Sequence, residues 1–273
     1  MTDLVVRRLL IDLQTPFARR WNGGDAFRSA LFNALSMSFP VGEQFFIDAV
    51  RRGMQALPAD ARERLEPEVR GFIGQEATHR RLHALFNARL EAQGLRNTWG
   101  PRSARRVAAM ATFDPRHAVA VTAATEHLTA ILADWMLTRP AIFEGSEPRL
   151  ATLWLWHSAE ESEHRATAFD LYRALGGNDE WRVRWLRLVT RQFVLDLARQ
   201  TLRNLWHDGA LFEWRTWRSA ARFLFGRDGL VTSTRAAWRA YLDPGFHPRQ
   251  QPATHAQRWL SEHAAQYTVV GQG

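Results

Sequence analysis

The stretch from Trp156 to His164 constrains the fold most, because it puts three metal-binding side chains on one side of a helix. His157, Glu161 and His164 lie at positions i, i+4 and i+7, which share a face at 3.6 residues per turn. Once buried, each of these side chains needs a polar partner. A metal ion would supply one partner for all three.

The same pattern occurs twice in the chain. Each half offers one glutamate followed, 33 or 35 residues later, by Glu-x-x-His. The six residues are Glu43, Glu76 and His79 in the first half, and Glu126, Glu161 and His164 in the second. By chance, a chain of this composition contains about 0.5 occurrences of Glu-x-x-His, so two occurrences are weak evidence. The matched spacing to the preceding glutamates carries more weight than the motif itself.

Helical periodicity with capping signals predicts four main helices. They cover 25–56, 68–93, 115–138 and a fourth that continues to about 175, with 94–114 as a crossover. Pro40 and Gly42 are expected to kink or restart the first helix. The predicted fold is all-α: a ferritin-like four-helix bundle of two helical hairpins, with additional C-terminal helices.

Four segments follow from this pattern. They are a basic N-terminal segment (1–24), a metal-binding four-helix bundle (25–175), Trp/Arg-rich helices that pack on the bundle (176–242) and a loosely ordered tail (243–273). Within the tail, a short helix is expected near 256–266.

Charge balance predicts two ions. Four buried carboxylates carry four negative charges, which two divalent metals would neutralise. The chain has no Cys, which excludes thiolate metal ligands and cysteine nucleophiles. We therefore expect two transition-metal ions, iron first, with manganese or zinc as alternatives. No catalytic residue separate from the metal ligands is predicted.

The six residues resemble the ligands of ferritin-like di-iron carboxylate proteins. His157 extends the motif to His-x-x-x-Glu-x-x-His, which resembles arylamine N-oxygenases, where an extra histidine joins one iron. The alternative is that His157 lies outside the metal ligands. The stretch WHSAEESEHRATAFDLY, from Trp156 to Tyr172, is similar to the bacterial family named predicted metal-dependent hydrolases. That resemblance implies a metal and a hydrolytic reaction.

Neighbouring polar residues have less specific roles. Gln75 and Glu160 each precede a Glu-x-x-His, from where they could hydrogen-bond a ligand histidine of the opposite hairpin; an ordinary helix-surface position is the alternative. His83 is expected to be a hydrogen-bonded core histidine. Asp48 is the nearest substitute should Glu43 fail as a ligand.

Three functions fit this pattern. The first is a di-iron oxygenase or oxidase that activates O₂ to oxidise, hydroxylate or desaturate an organic, lipid-like substrate. The second is a metal-dependent hydrolase that uses a metal-activated water. The third is metal binding or storage without catalysis, which the long Trp-rich C-terminal region disfavours.

Composition narrows the partners. All 36 basic residues are Arg, and the net charge is +8. Trp and Arg recur at helical spacing from Trp181 to Trp238, which fits packing on the bundle or peripheral contact with an anionic membrane. Nucleic acid is disfavoured because no recognised binding module accompanies them. An electron donor and a second copy of the chain are further candidate partners. The N-terminus lacks a signal-peptide pattern, so a cytoplasmic location, peripheral at the membrane, is expected.

Overall fold

A computed structural model describes residues 4–270, and within that range the protein is almost entirely α-helical, which confirms the predicted all-α class. Its α-helices are α1 (Ala26–Gln55), α2 (Ala59–Ala92), α3 (Trp99–Ala109), α4 (Pro115–Thr138), α5 (Pro148–His164), α6 (Thr167–Ala174), α7 (Asp179–His207), α8 (Trp214–Phe225), α9 (Leu230–Ala240) and α10 (Thr254–Glu262). Short 3-10 turns lie at Pro140–Phe143, Pro248–Gln250 and Ala264–Gln266.

Helix α1 continues through Pro40, where the sequence predicts a kink or restart. A proline lacks the N–H that would bond the carbonyl four residues earlier, here that of Ser36. The Asn87 side chain of α2 donates to this carbonyl at 2.9 Å. Because a neighbouring helix supplies the missing donor, α1 remains continuous across the proline.

Helix α2 begins at Ala59, nine residues before the predicted start at 68, and contains Pro67. The carbonyl that Pro67 leaves unpaired belongs to Glu63, an exposed residue on the solvent side of the helix. Leu65 and Val69 anchor this first part of α2 in the core. Burial of the apolar face therefore outweighs the proline.

Two further boundaries differ from the prediction. The fourth helix is broken at Arg165–Ala166, so that α5 and α6 are separate helices. The crossover 94–114 contains α3, whose side chains are buried only at its N-terminal end. Helix α4 begins as predicted, with Asp114 as N-cap and Pro115 in the first turn.

The helices that carry the predicted ligands pack side by side. Helix α1 pairs with α2, α4 pairs with α5, and α1 also contacts α4. Helix α7 lies against α1 and α4 on the outside of this group. In the described residues, no helix combines the length and apolar character needed to cross a membrane.

The chain ends meet on one side of the molecule. Strand β1 (Arg7–Leu9) pairs antiparallel with strand β2 (Tyr267–Val269). Helix α10 packs against α5. The C-terminal tail, expected to be loosely ordered apart from a short helix near 256–266, contains α10 and the paired strand β2. Its apolar residues Trp259 and Leu260 join the main core.

Candidate metal centre

Four helices direct glutamate and histidine side chains into one buried cluster. Each residue of this cluster has a relative solvent exposure of 5 % or less. The cluster comprises Glu43 from α1, Glu76 and His79 from α2, Glu126 from α4, and His157, Glu161 and His164 from α5. The structure therefore brings together all seven residues that the sequence predicts as ligands.

Glu161 lies at the centre of the cluster. Its Oε1 is 2.9 Å from His157 Nε2, 3.3 Å from His164 Nε2 and 3.5 Å from His79 Nδ1. His164 Nδ1 is 3.4 Å from Glu76 Oε1, and its Nε2 is 3.8 Å from an oxygen of Glu126. These distances leave space for an ion between the donor atoms.

Two overlapping sets of donor atoms could each hold an ion, since within each set all atoms lie within 4.8 Å of one another. One set is formed by Glu76, His79, Glu161 and His164. The other is formed by Glu43, His79 and His157.

Most of these donors have no hydrogen-bond partner in the described part of the chain. Both carboxylate oxygens of Glu43, Glu76 and Glu126 are buried without one, as are Glu161 Oε2 and His79 Nδ1. Buried polar atoms without partners are rare and costly. Their concentration at one point is what a metal centre requires, so the residues fit such a group.

The pKa values of the four glutamates indicate that the cluster holds more negative charge than its surroundings compensate. Burial, reinforced by the charges of Glu161 and Glu126, raises the pKa of Glu43 well above its usual value. Burial and the neighbouring carboxylates also raise the pKa of Glu76 and Glu126. Burial alone would raise the pKa of Glu161, but the charge of the neighbouring His164 holds it well below its usual value. A cation is therefore needed to keep all four ionised.

Glu160 holds the far side of the His79 ring. Its Oε2 is 2.9 Å from His79 Nε2, and its Oε1 accepts from Arg7 at 3.1 Å. Arg7 also binds Glu163. An Nε2–H donated to Glu160 leaves Nδ1 of His79 free to face Glu161, which is the orientation that a metal-binding histidine needs.

The N-terminal segment reaches Glu160 by crossing two glycines of α2. A Cβ at Gly71 would lie 2.8 Å from the Leu4 carbonyl, and one at Gly74 would lie 2.4 Å from the side chain of Val6. Any larger residue would push the segment, and with it Arg7, away from α2.

His157 ends a buried hydrogen-bond relay. The Asn87 amide N–H donates to the Ser36 carbonyl, which orients the Asn87 side-chain oxygen toward the Ser36 hydroxyl. That oxygen accepts a hydrogen bond from the hydroxyl at 2.8 Å. The hydroxyl oxygen then accepts from His83 Nδ1 at 2.8 Å, and His83 Nε2 accepts from His157 Nδ1 at 2.7 Å. Burial lowers the pKa of His157 to about 4, so the ring is neutral. Its Nε2 lone pair therefore faces Glu161, an arrangement that a cation between them would stabilise.

An apolar cavity of about 350 Å³ lies beside the cluster, with Glu43 among its lining residues. Its walls come from α1, α3, α4 and α7 and include Phe39, Phe45, Trp99, Met110, Leu188 and Phe193. Several polar side chains in the lining are already bonded within the protein. Thr125 donates to the Val121 carbonyl, and Arg106 pairs with Asp196. The cavity therefore suits an apolar group.

One sequence-based expectation needs correction. Gln75 does not contact a ligand histidine: its amide donates to the Val5 carbonyl and to Glu163, because the N-terminal segment lies against this side of α2. His83 is a core histidine, as predicted, but it also bonds directly to His157. Asp48, the substitute for Glu43, is exposed and accepts from Gln44.

Sequence reasoning missed Arg7, Ser36 and Asn87. Their roles arise from contacts between distant parts of the chain, since Arg7 and Glu160 are 153 positions apart. The available signal was the position of Asn87, four residues after His83 and so on the same helix face, because an amide on an inward face needs hydrogen-bond partners.

The helical fold and the buried donors define an all-α protein whose core could hold a metal. The chain belongs to the family described as predicted metal-dependent hydrolase, whose model matches residues 5–252. No curated protein and no solved structure matches the chain.

Proposed function

We propose that the chain is a metal-dependent hydrolase whose substrate carries an apolar portion. The observation that supports this most is the convergence of unpartnered Glu and His donors beside an apolar cavity that reaches Glu43. The family description favours hydrolysis over the O₂ activation placed first from the sequence.

The proposed cofactor is a pair of transition-metal ions, with iron, manganese and zinc all compatible with oxygen and nitrogen donors. Glu43, Glu76, Glu126 and Glu161 would balance the charge of two divalent ions. His79, His164 and His157 would complete the ligand set. Ions bound there would supply Lewis acidity that activates water and polarises a carbonyl group.

The protein's own residues would orient and shield the reacting groups. Glu160 and the Ser36–His83 relay hold the rings of His79 and His157 with a lone pair toward the cluster. The cavity lining would bind the apolar part of the substrate and exclude bulk water. Because Glu43 borders both cavity and cluster, the scissile bond would lie next to it.

Hydrolysis of p-nitrophenyl esters of increasing acyl length, measured without O₂, tests this proposal. Protein reconstituted with zinc or manganese should turn over, with kcat/KM rising with chain length until the cavity is full. Glu161→Gln should lose activity by at least about 100-fold, since it removes the central ligand. Absence of turnover with every metal on esters, amides and phosphoesters would contradict the hydrolase.

A di-iron oxidase or oxygenase is the second candidate, because four carboxylates outnumber the histidines of the Glu-x-x-His motifs, as in di-iron carboxylate proteins. Adding Fe(II) anaerobically and then O₂, with an oxygen electrode as readout, separates the two. O₂ uptake that Glu161→Gln abolishes, together with no hydrolysis, would favour oxidation. An O₂-independent reaction that zinc supports would rule it out.

A further inference from the structure

We propose that the C-terminal part of α7, the following loop and α8 form a face that docks the protein on a membrane containing anionic lipid. This docking face consists of exposed aromatic side chains with arginines beside them. Relative exposure is 83 % for Phe212, 66 % for Trp206, 65 % for Phe225, 62 % for Trp214 and 44 % for Trp217.

Helix α8 has two apolar faces, whereas a surface helix of a globular protein normally has one. Thr216, Ala220 and Phe223, at i, i+4 and i+7, are buried against the protein. Trp214 and Phe225 lie on the opposite side, at i and i+11, and Trp217, at i+3, lies at its edge. The packing of α8 in the fold explains the first face, whereas the second has no partner among residues 4–270.

The loop before α8 extends the outer apolar surface. Phe212 lies at the tip and packs edge-on against Trp206 with ring centroids 6.0 Å apart. The indole N–H of Trp217 donates to the Leu211 carbonyl at 2.8 Å, so its ring presents apolar surface without an unsatisfied donor. Aromatic rings of this kind favour the boundary between lipid headgroups and acyl chains.

The charge next to this surface is positive. Arg215, Arg218 and Arg222 lie on α8, and the Arg218 guanidinium stands 4.6 Å from the centre of the Trp214 ring. Two of the nearby acids are already paired, since Asp208 and Glu213 both bind Arg20, at 2.7 Å and 3.1 Å. The exposed Asp228, three positions after Phe225, is outnumbered by the arginines of α8. Aromatic residues with flanking arginines on an in-plane helix match an anionic bilayer surface.

Charge also favours an anionic membrane over a second copy of the chain as the partner of this face. The protein carries a net charge of +8, and a symmetric dimer through this face would place the same arginines against each other. An anionic membrane instead offers opposite charge to the arginines and an apolar layer to the rings. The docking face therefore fits lipid better than self-association.

Sedimentation of the full chain with vesicles tests the proposal. At about 0.1 M salt, binding to mixed phosphatidylcholine–phosphatidylserine vesicles should exceed binding to phosphatidylcholine vesicles by at least about tenfold. Raising the salt to about 1 M should weaken it, because the Debye length falls to about 3 Å.

The double variant Trp214→Ser/Phe225→Ser should have a vesicle partition coefficient at least about tenfold lower, because it loses two aromatic rings that the membrane would bury. Trp181→Ser is the matched control, since Trp181 is also exposed but lies at the other end of α7, and it should bind as the parent does. Circular dichroism and metal content should be unchanged in both variants.

Three outcomes would overturn the proposal. One is equal binding to both vesicle types or to neither. Another is a dimer in sedimentation equilibrium that only the double variant dissociates, which would make the face a self-association surface. The third is binding to an RNA or DNA oligonucleotide that is tighter than vesicle binding and lost in the double variant.

Discussion

Among single residues, Glu43 connects the two parts of the proposed site, because it belongs to the donor cluster and also lines the cavity. Because Pro40 and Gly42 precede Glu43 in α1, the sequence left Asp48 as a substitute ligand. The continuous helix places Glu43 inward, and Asp48 further along the same helix remains exposed.

Replacing these two carboxylates separates their roles. Glu43→Ala should weaken metal binding by more than about tenfold, since even residues that only support a ligand contribute about 10–100-fold. Asp48→Ala should retain the metal content of the parent, measured by plasma mass spectrometry after dialysis. Loss of metal in Asp48→Ala with retention in Glu43→Ala would show that α1 contributes a different carboxylate.

How much of the site could be predicted depends on how local each signal is. Helix periodicity alone places Glu161 and His164 on one face, and the repeated spacing identified the glutamate of each partner helix. The network around Arg7 could not be predicted, because it requires the N-terminal segment to cross α2 at Gly71. The Ser36–His83 relay depends in the same way on the register between α1 and α2.

At the level of helices, prolines explain two of the differences between the predicted and the observed helices. Pro40 and Pro67 both read as interruptions, yet α1 and α2 pass through them. In α1 a side chain from the next helix replaces the missing donor, and in α2 the free carbonyl lies on the solvent side. A single sequence does not reveal which carbonyls will find a donor from elsewhere in the fold.

A double-mutant cycle tests the compensation in α1. Asn87→Ala should lower the free energy of unfolding by about 1–3 kcal/mol, because it leaves the Ser36 carbonyl without its donor and the Ser36 hydroxyl without its acceptor. In a Pro40→Ala background the helix itself supplies a donor to that carbonyl, so the same substitution should cost less. Urea unfolding of the four proteins gives the coupling energy, and strictly additive effects would contradict this account.

For the molecule as a whole, the packed helices enclose the carboxylates so completely that the metal-free protein carries an electrostatic cost. Burial raises the pKa of Glu160 to about 8, in spite of Arg7, and raises those of Glu43, Glu76 and Glu126 as well. In the unfolded chain a glutamate ionises near pH 4.5. Between these pH values the native state holds more protons than the unfolded state, so stability falls as pH rises.

The histidines act in the opposite direction but in a lower pH range. Burial lowers the pKa values of His79, His83 and His157 below 6.5, so in the native state these rings are already neutral where the unfolded ones still titrate. Unfolded histidines have lost nearly all their protons by about pH 7.5, and above this pH the buried carboxylates dominate the slope. Each proton that only the native state retains contributes about 1.4 kcal/mol per pH unit.

Thermal unfolding between about pH 7.5 and about pH 8.5, where unfolded histidines are nearly all neutral, measures this slope. After chelation, the midpoint should fall as pH rises, and protein saturated with metal should show a shallower dependence, because the ions keep the carboxylates ionised and binding them releases protons. Glu160→Gln removes one titrating group and should reduce the slope of the metal-free protein, with little effect on the number of ions bound. Parallel pH profiles with and without metal would mean that the ions bind elsewhere, since ions at this cluster must compete with the protons that the buried glutamates hold.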